Sequence, residues 1–145
     1  VKCRISYNET IQHITYEHYK IKKVKTLQLV YSDEIDYQHK EEDREALKEL
    51  YSARGKSDDI IIVKKGIVTD SYYCNLAFLR NKQWFTPANP LLHGTRRAQL
   101  LERKKIKTAS IKATHIHKYE KVSLFNSMIP FGKVVVDISK SAVKK

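Results

Sequence analysis

The sequence predicts a mixed α/β (α+β) domain, with a mostly antiparallel, barrel-like sheet and helices packed on it. Three observations lead there. Strand-like segments outnumber helical ones, the connections between strands are short, and neither a repeat of fixed period nor a regular strand–helix alternation runs along the chain. At 145 residues the chain is one domain, spanning 1–145, large enough for a real core. With 41% hydrophobic and 30% charged residues it has a globular composition.

The elements follow in order. Val1 to Tyr7 alternates Val1, Cys3, Ile5 and Tyr7 with Lys2, Arg4 and Ser6, the pattern of a half-buried strand. Asn8-Glu9 marks a turn, and the β-branched and aromatic run from Thr10 to Tyr19 returns as a hairpin partner. Lys20 to Lys25 reads as a basic, solvated connector, and Thr26 to Ser32 as a third strand. Ala46, Leu47, Leu50 and Tyr51 recur at helical spacing, behind a first turn crowded with Glu41, Glu42 and Asp43. Arg54 and Gly55 close that helix, predicted from about His39 to Arg54, with Lys40 at its start.

Ile60 to Val63 is a continuous apolar run, expected of a strand covered on both faces. Lys64 to Gly66 turns it into a return strand, Ile67 to Asp70, and Asn75 to Leu79 forms another. A turn at Asn81-Lys82 leads to an extended segment ending at Pro87, then to a proline-broken loop, Ala88 to Thr95. A second helix is expected from Arg96 to about Lys105, a short strand over Lys107 to Lys112, and a short helix over Thr114 to Glu120 capped by Thr114. Val122 to Met128 and Lys133 to Ile138 are the last two strands, and the basic tail after Ile138 is expected to fray.

Charge and composition narrow the function. A formal charge of +12 favours anionic partners. Cys3 and Cys74 have no metal-like spacing and are too few for a disulfide scaffold, so free thiols and a cytoplasmic setting are expected. No apolar run reaches membrane-spanning length. Neither G-x-G-x-x-G nor a P-loop occurs. His115 and His117 make a poor metal pair. The chain opens on Val1 inside what reads as a strand, so a preceding segment is expected. A polyanion- or RNA-binding module is the competing class. The basic residues are dispersed and carry no RNA-binding signature, which makes nucleic acid an unfavoured partner.

Several motifs acquire meaning only when read jointly and in order. HKEEDR holds Lys40 and Arg44; Thr69 to Leu76 reads T-D-x-x-x-x-N-L; Trp84 to Pro87 reads W-x-T-P; Pro90 to Arg97 reads P-L-L-x-G-x-x-R; LFNSMIP runs from Leu124 to Pro130. This ordered set resembles the class IV family of pyridoxal-phosphate enzymes (fold type IV), which holds branched-chain and D-amino-acid aminotransferases and 4-amino-4-deoxychorismate lyases. The lyase branch is the nearer.

The resemblance implies a large cofactor-binding domain and pyridoxal 5'-phosphate as cofactor. It implies a small amino-containing carboxylate as substrate, and a homodimer. It casts Lys40 as the Schiff-base lysine, a role that needs an amine neutral at the moment of attack although free lysine titrates at roughly 10. Asp70 becomes the partner of the pyridine nitrogen, where branched-chain enzymes usually carry glutamate. Gly94, Thr95 and Arg96 match the phosphate loop at a helix start, and Ser127 a second phosphate contact. Arg44 is expected on the face of Lys40, reaching the ring's phenolic oxygen. Tyr72 and Asn75 line or brace the site, and Cys74 is structural. Family members also carry a smaller N-terminal domain ahead of the segment equivalent to Val1. Lyase chemistry giving pyruvate and 4-aminobenzoate for folate synthesis is the expected reaction, with a class IV aminotransferase as the alternative.

Overall fold

A computed structural model describes residues 1–37, 44–140 and 142–145. The strands are β1 (Lys2–Tyr7), β2 (Ile11–Glu17), β3 (Leu27–Tyr31), β4 (Asp59–Lys64), β5 (Ile67–Val68), β6 (Asn75–Arg80), β7 (Gln83–Pro87), β8 (Lys107–Ala109), β9 (Lys121–Phe125), β10 (Val134–Asp137) and β11 (Val143–Lys144). The helices are α1 (Glu45–Ser52) and α2 (Thr95–Glu102), with 3₁₀ segments at Ala113–Lys118 and Ile138–Lys140. One sheet runs β11-β3-β4-β5, a second β10-β9-β6-β7-β8, and β1-β2 form a separate hairpin.

The two larger sheets share one core, and period-two alternation decides what each strand contributes. Ile61 and Val63 of β4 meet Leu76 and Phe78 of β6 and Val122 and Leu124 of β9 in the layer between the sheets. Ile60 and Ile62 point the other way, toward Leu47 of α1, Tyr37, Tyr72 and Leu91. Both faces of β4 are therefore covered, as its unbroken apolar run predicts. Ala77 and Phe125 cover the outer face of the second sheet beneath Leu100 and Leu101 of α2. The mixed α/β class holds. Parallel pairing is more frequent than expected, joining β3 to β4, β11 to β3 and β7 to β8. The β3–α1–β4 crossover makes its pair parallel, because a helix returns the chain to the same end of the sheet.

Several local expectations are corrected. The described part of the first helix is Glu45–Ser52, with Arg44 at its N-cap (φ −120°, ψ 22°). The expected start near His39, and with it the face shared with Lys40, lies outside the described residues. The second helix stops at Glu102, before the expected lysines. Lys104 takes the left-handed conformation (φ 57°), and a Schellman closure follows, with Lys105 N–H bonded to Leu100 C=O and Lys104 N–H to Leu101 C=O. Glycine usually fills that position, so the residue type gave no stop signal. Thr114 does not cap its segment. Lys112 occupies the cap position of a 3₁₀ turn, and no side chain caps it. The strand expected over Lys107 to Lys112 is only Lys107–Ala109. The C-terminal tail is tied down, with Val143 opposite Leu27 and Lys144 opposite Gln28. The basic connector is not wholly solvated either, since Ile21 and Val24 pack partly buried against the core.

The hairpin stands apart in character. Ile5 pairs with Ile14 and Cys3 with Tyr16, and all four are exposed. No described helix is long and apolar enough to cross a membrane.

Candidate active site

The chain crosses from one large sheet to the other between β5 and β6, and Asp70 lies in that crossing. Its carbonyl accepts from Ile62 N–H, and Ser71 N–H bonds back to Cys74 C=O, so the backbone on both sides is fixed. The Asp70 side chain is buried. Asn75, the first residue of β6, donates from Nδ2 to Asp70 Oδ1 at 2.9 Å and to Leu92 C=O at 2.9 Å. Leu92 N–H donates to Asp70 Oδ2 at 3.0 Å. Burial pushes the Asp70 carboxyl up to about 6; the donors from Asn75, Leu92 and Leu91 and the charge of Arg97 pull against that rise without cancelling it.

Two residues beyond Leu92 begins the opposite end of the site. Gly94 is the N-cap of α2 in an extended conformation, and no side chain caps the helix. A Cβ on Gly94 would stand 2.2 Å from Asn75 Oδ1, so glycine is required by close approach and not by its torsion angle. One amide thus touches both ends: its nitrogen holds Asp70 and its oxygen fills the space above Gly94. The Thr95 hydroxyl lies 3.2 Å from that of Ser127, which follows β9. The first turn of α2 carries Arg96 and Arg97 and no acid. That arrangement opposes the helix dipole unless an anion sits there.

Arg44 donates from Nη2 to the Tyr72 carbonyl. Its guanidinium lies over the rings of Tyr37, Tyr72 and Tyr73, at 5.4, 5.0 and 4.5 Å. Tyr72 stacks on Tyr51 with centroids 4.3 Å apart, so its ring belongs to the hydrophobic cluster outside β4. Cys74 is buried, and its thiol is pushed up to about 12, chiefly by burial with help from Asp59 and Asp70, which keeps it protonated and inert as expected. Lys40 lies outside the described residues. Asp70 and Asn75 are therefore brought together with each other, as are Thr95 and Ser127. Arg96 sits beside Thr95 on α2, with its Nη1 3.5 Å from Gln99 Oε1.

The model of the class IV amino-transferases matches residues 8–136. The chain belongs to that family. An uncharacterized protein of Haemophilus influenzae is 39% identical over 128 residues, covering 88% of this chain and 68% of the relative. A Schizosaccharomyces pombe protein provisionally named an aminodeoxychorismate lyase is 35% identical over 100 residues, 65% of this chain and 43% of that protein. The crystal structure of a provisionally named 4-amino-4-deoxychorismate lyase from Haemophilus somnus 129PT superposes with a TM-score of 0.83 at 41% identity, covering 88% of this chain and 66% of that one. The class IV chain thus spans about two thirds of the two Haemophilus relatives and less than half of the yeast protein. Class IV aminotransferases depend on pyridoxal phosphate, and the PLP-bound structure of a Mycobacterium tuberculosis protein described as a hypothetical aminotransferase shares the fold, with a TM-score of 0.64 at 16% identity.

Sequence reasoning left Arg97 out of the site, although it is the final letter of the G-x-x-R motif. Its burial and its electrostatic tie to Asp70 became visible only once α2 was docked.

Proposed function

We propose that this class IV chain binds pyridoxal phosphate and forms the cofactor-binding portion of a lyase acting on aminodeoxychorismate, releasing pyruvate and 4-aminobenzoate. The observation that carries the cofactor reading is the pair of ends joined by Asn75: a buried carboxylate at Asp70 and, past Leu92, an uncapped helix start with converging hydroxyls. The donor chemistry fits the group. Gly94 leaves its backbone bare at the N-terminus of α2, where Thr95, Arg96 and Ser127 would hold the phosphate. Asp70 would face the pyridine nitrogen. When bound, pyridoxal phosphate supplies an electron sink for charge developing at the substrate Cα.

The chain's own residues do the rest. Asp70, held by Asn75 and Leu92, keeps a negative charge in a water-poor place, where it favours the protonated pyridine nitrogen. Lys40 would supply the amine that holds the cofactor and would move the substrate's Cα proton. Arg44 fixes the Tyr72 backbone and orients the segment leading to Asn75. The lyase assignment draws on the provisional names of the relatives that are 35% and 41% identical.

The test is borohydride reduction of the chain after incubation with pyridoxal phosphate, followed by peptide mapping. A phosphopyridoxyl label on Lys40, lost in Lys40→Ala, supports the reading; reduction that labels surface lysines without preference ends it. Product analysis with aminodeoxychorismate then separates the reactions. 4-Aminobenzoate with pyruvate supports the lyase, whereas amino-group transfer to a keto acid from a small amino acid replaces it with the aminotransferase.

A further inference from the structure

Arg97 is an expensive arginine. It sits in the first turn of α2, where the dipole disfavours a cation. It is only 5% exposed, in contrast to the surface position usual for arginine. Its Nη2 donates to the Pro87 carbonyl at 3.0 Å, while its Nε is buried with no hydrogen-bond partner among the described residues. A buried guanidinium with an unpaired donor persists only where something offsets its cost.

Part of the offset comes from the Pro87 carbonyl, and Asp70 is the anion whose charge acts on Arg97. Burial pulls the Arg97 value down while the carboxylate pulls it back up, and burial raises Asp70 while Arg97 draws it down. The two charges are carried by different elements, Arg97 by α2 and Asp70 by the β5–β6 crossing. Between them in sequence lies the segment from Pro87 to Leu92, whose first carbonyl Arg97 holds and whose last N–H donates to Asp70.

We propose that Arg97 is a positioning residue for the pyridine end of the cofactor site. It ties the first turn of α2 to the end of β7, so that the 87–92 segment presents its N–H groups to Asp70. It also brings a positive charge to the same buried corner. The inference rests on the cofactor reading above and deepens it. The other groups facing Asp70 are neutral donors from Asn75, Leu91 and Leu92, and the Cys74 thiol, which also feels Asp59 of β4. Among the described residues that act on Asp70, Arg97 is the cation.

The experiment uses the cofactor-free chain, labelled with ¹³C-aspartate. Its Asp70 carboxyl resonance is identified by its loss in Asp70→Asn and followed from pH 4 to 8. The wild-type midpoint is expected at about 6. Arg97→Met should move it upward, since a cation that favours the charged form is lost. Arg97→Gln, which keeps a donor without the charge, should behave like Arg97→Met, and Arg97→Lys should restore most of the wild-type value. A purely structural arginine would leave all four midpoints superimposed, and that result overturns the proposal.

Should Arg97→Met not fold, the double variant with Asp70→Asn decides. Recovery of the folded chain supports the pairing, and no recovery refutes it. Because the titration contains no cofactor, an unmoved midpoint removes the role of Arg97 and leaves the cofactor reading standing. Failure to label Lys40 removes the cofactor reading whatever Arg97 does.

Discussion

Replacing Asp70 by asparagine should change how the stability of the cofactor-free chain depends on pH. The folded chain holds the Asp70 proton to about pH 6, against a usual value of 3.8. The sign follows from which state binds the proton more tightly. Between those two values the native state carries more of it, so stability falls as pH rises through that window and is flat on either side. At about 1.4 kcal/mol per pH unit, a shift from 3.8 to about 6 makes the drop about 3 kcal/mol.

Asparagine resembles the protonated acid in shape and hydrogen-bond capacity and does not titrate. The wild type and Asp70→Asn should therefore agree near pH 4, and the variant should become the more stable by up to about 3 kcal/mol at pH 7.5. Urea unfolding at a series of pH values measures this. Comparing the two proteins at each pH cancels the acid sensitivity that their common excess of basic residues creates. Parallel stability curves would refute the reasoning, because they would mean that Asp70 ionises alike in both states. Saturating pyridoxal phosphate should flatten the wild-type dependence, since a protonated nitrogen beside the carboxylate lowers its pKa.

Two further substitutions probe the other end. Gly94→Ala places a methyl group where Asn75 Oδ1 now lies, and the backbone at φ −71° accepts alanine without strain, so the whole effect must come from displacing Asn75. Affinity for pyridoxal phosphate, read by fluorescence titration, should fall by roughly tenfold or more, with part of the loss returned when Asn75→Ala is added, a coupling expected of contacting residues. The paired substitution Thr95→Val with Ser127→Ala should weaken pyridoxal phosphate by about ten- to a hundredfold, the range of one or two charge-assisted hydrogen bonds. Binding of pyridoxal, which lacks the phosphate, should change little. Equal losses for both ligands would place the two hydroxyls away from the phosphate.

Much of the fold could be read from pattern, and the failures have identifiable causes. The unbroken run at β4 announced a strand covered on both faces, and it is one, because Ile60 and Ile62 face α1 while Ile61 and Val63 face the second sheet. The C-terminal strand was not legible, because Val143 and Lys144 are too few to show a period and gain their place only from the exposed edge of β3. The end of α2 was hidden because Lys104 adopts a conformation that residue type favours only for glycine or asparagine. At the site, motif order named Asp70, Asn75 and Gly94 separately. That Asn75 joins the other two depends on the width of the gap between the β5–β6 crossing and the 91–94 segment, a tertiary distance with no local signature.

The electrostatics of this corner make poor sense as fold stabilisation alone. A carboxylate is dry and costly near neutral pH, an arginine is buried with an unpaired donor, and a helix begins with two cations and no side-chain cap. Near neutral pH, a neutral isostere at Asp70 and a capping side chain at the helix start would each raise stability. Together these features describe a place suited to a molecule with a cation at one end and an anion at the other. A protonated pyridine nitrogen against Asp70 and a phosphate against the α2 terminus would relieve the Asp70 and helix-start penalties together, while Arg97 holds the spacing between them. A ligand carrying only one of these charges would relieve only one end. Inorganic phosphate should therefore bind weakly and leave the Asp70 titration unmoved, whereas pyridoxal phosphate should shift it downward. A phosphate-induced shift as large as that of pyridoxal phosphate would show that the anion alone accounts for the coupling, and would remove the pyridine nitrogen from the argument.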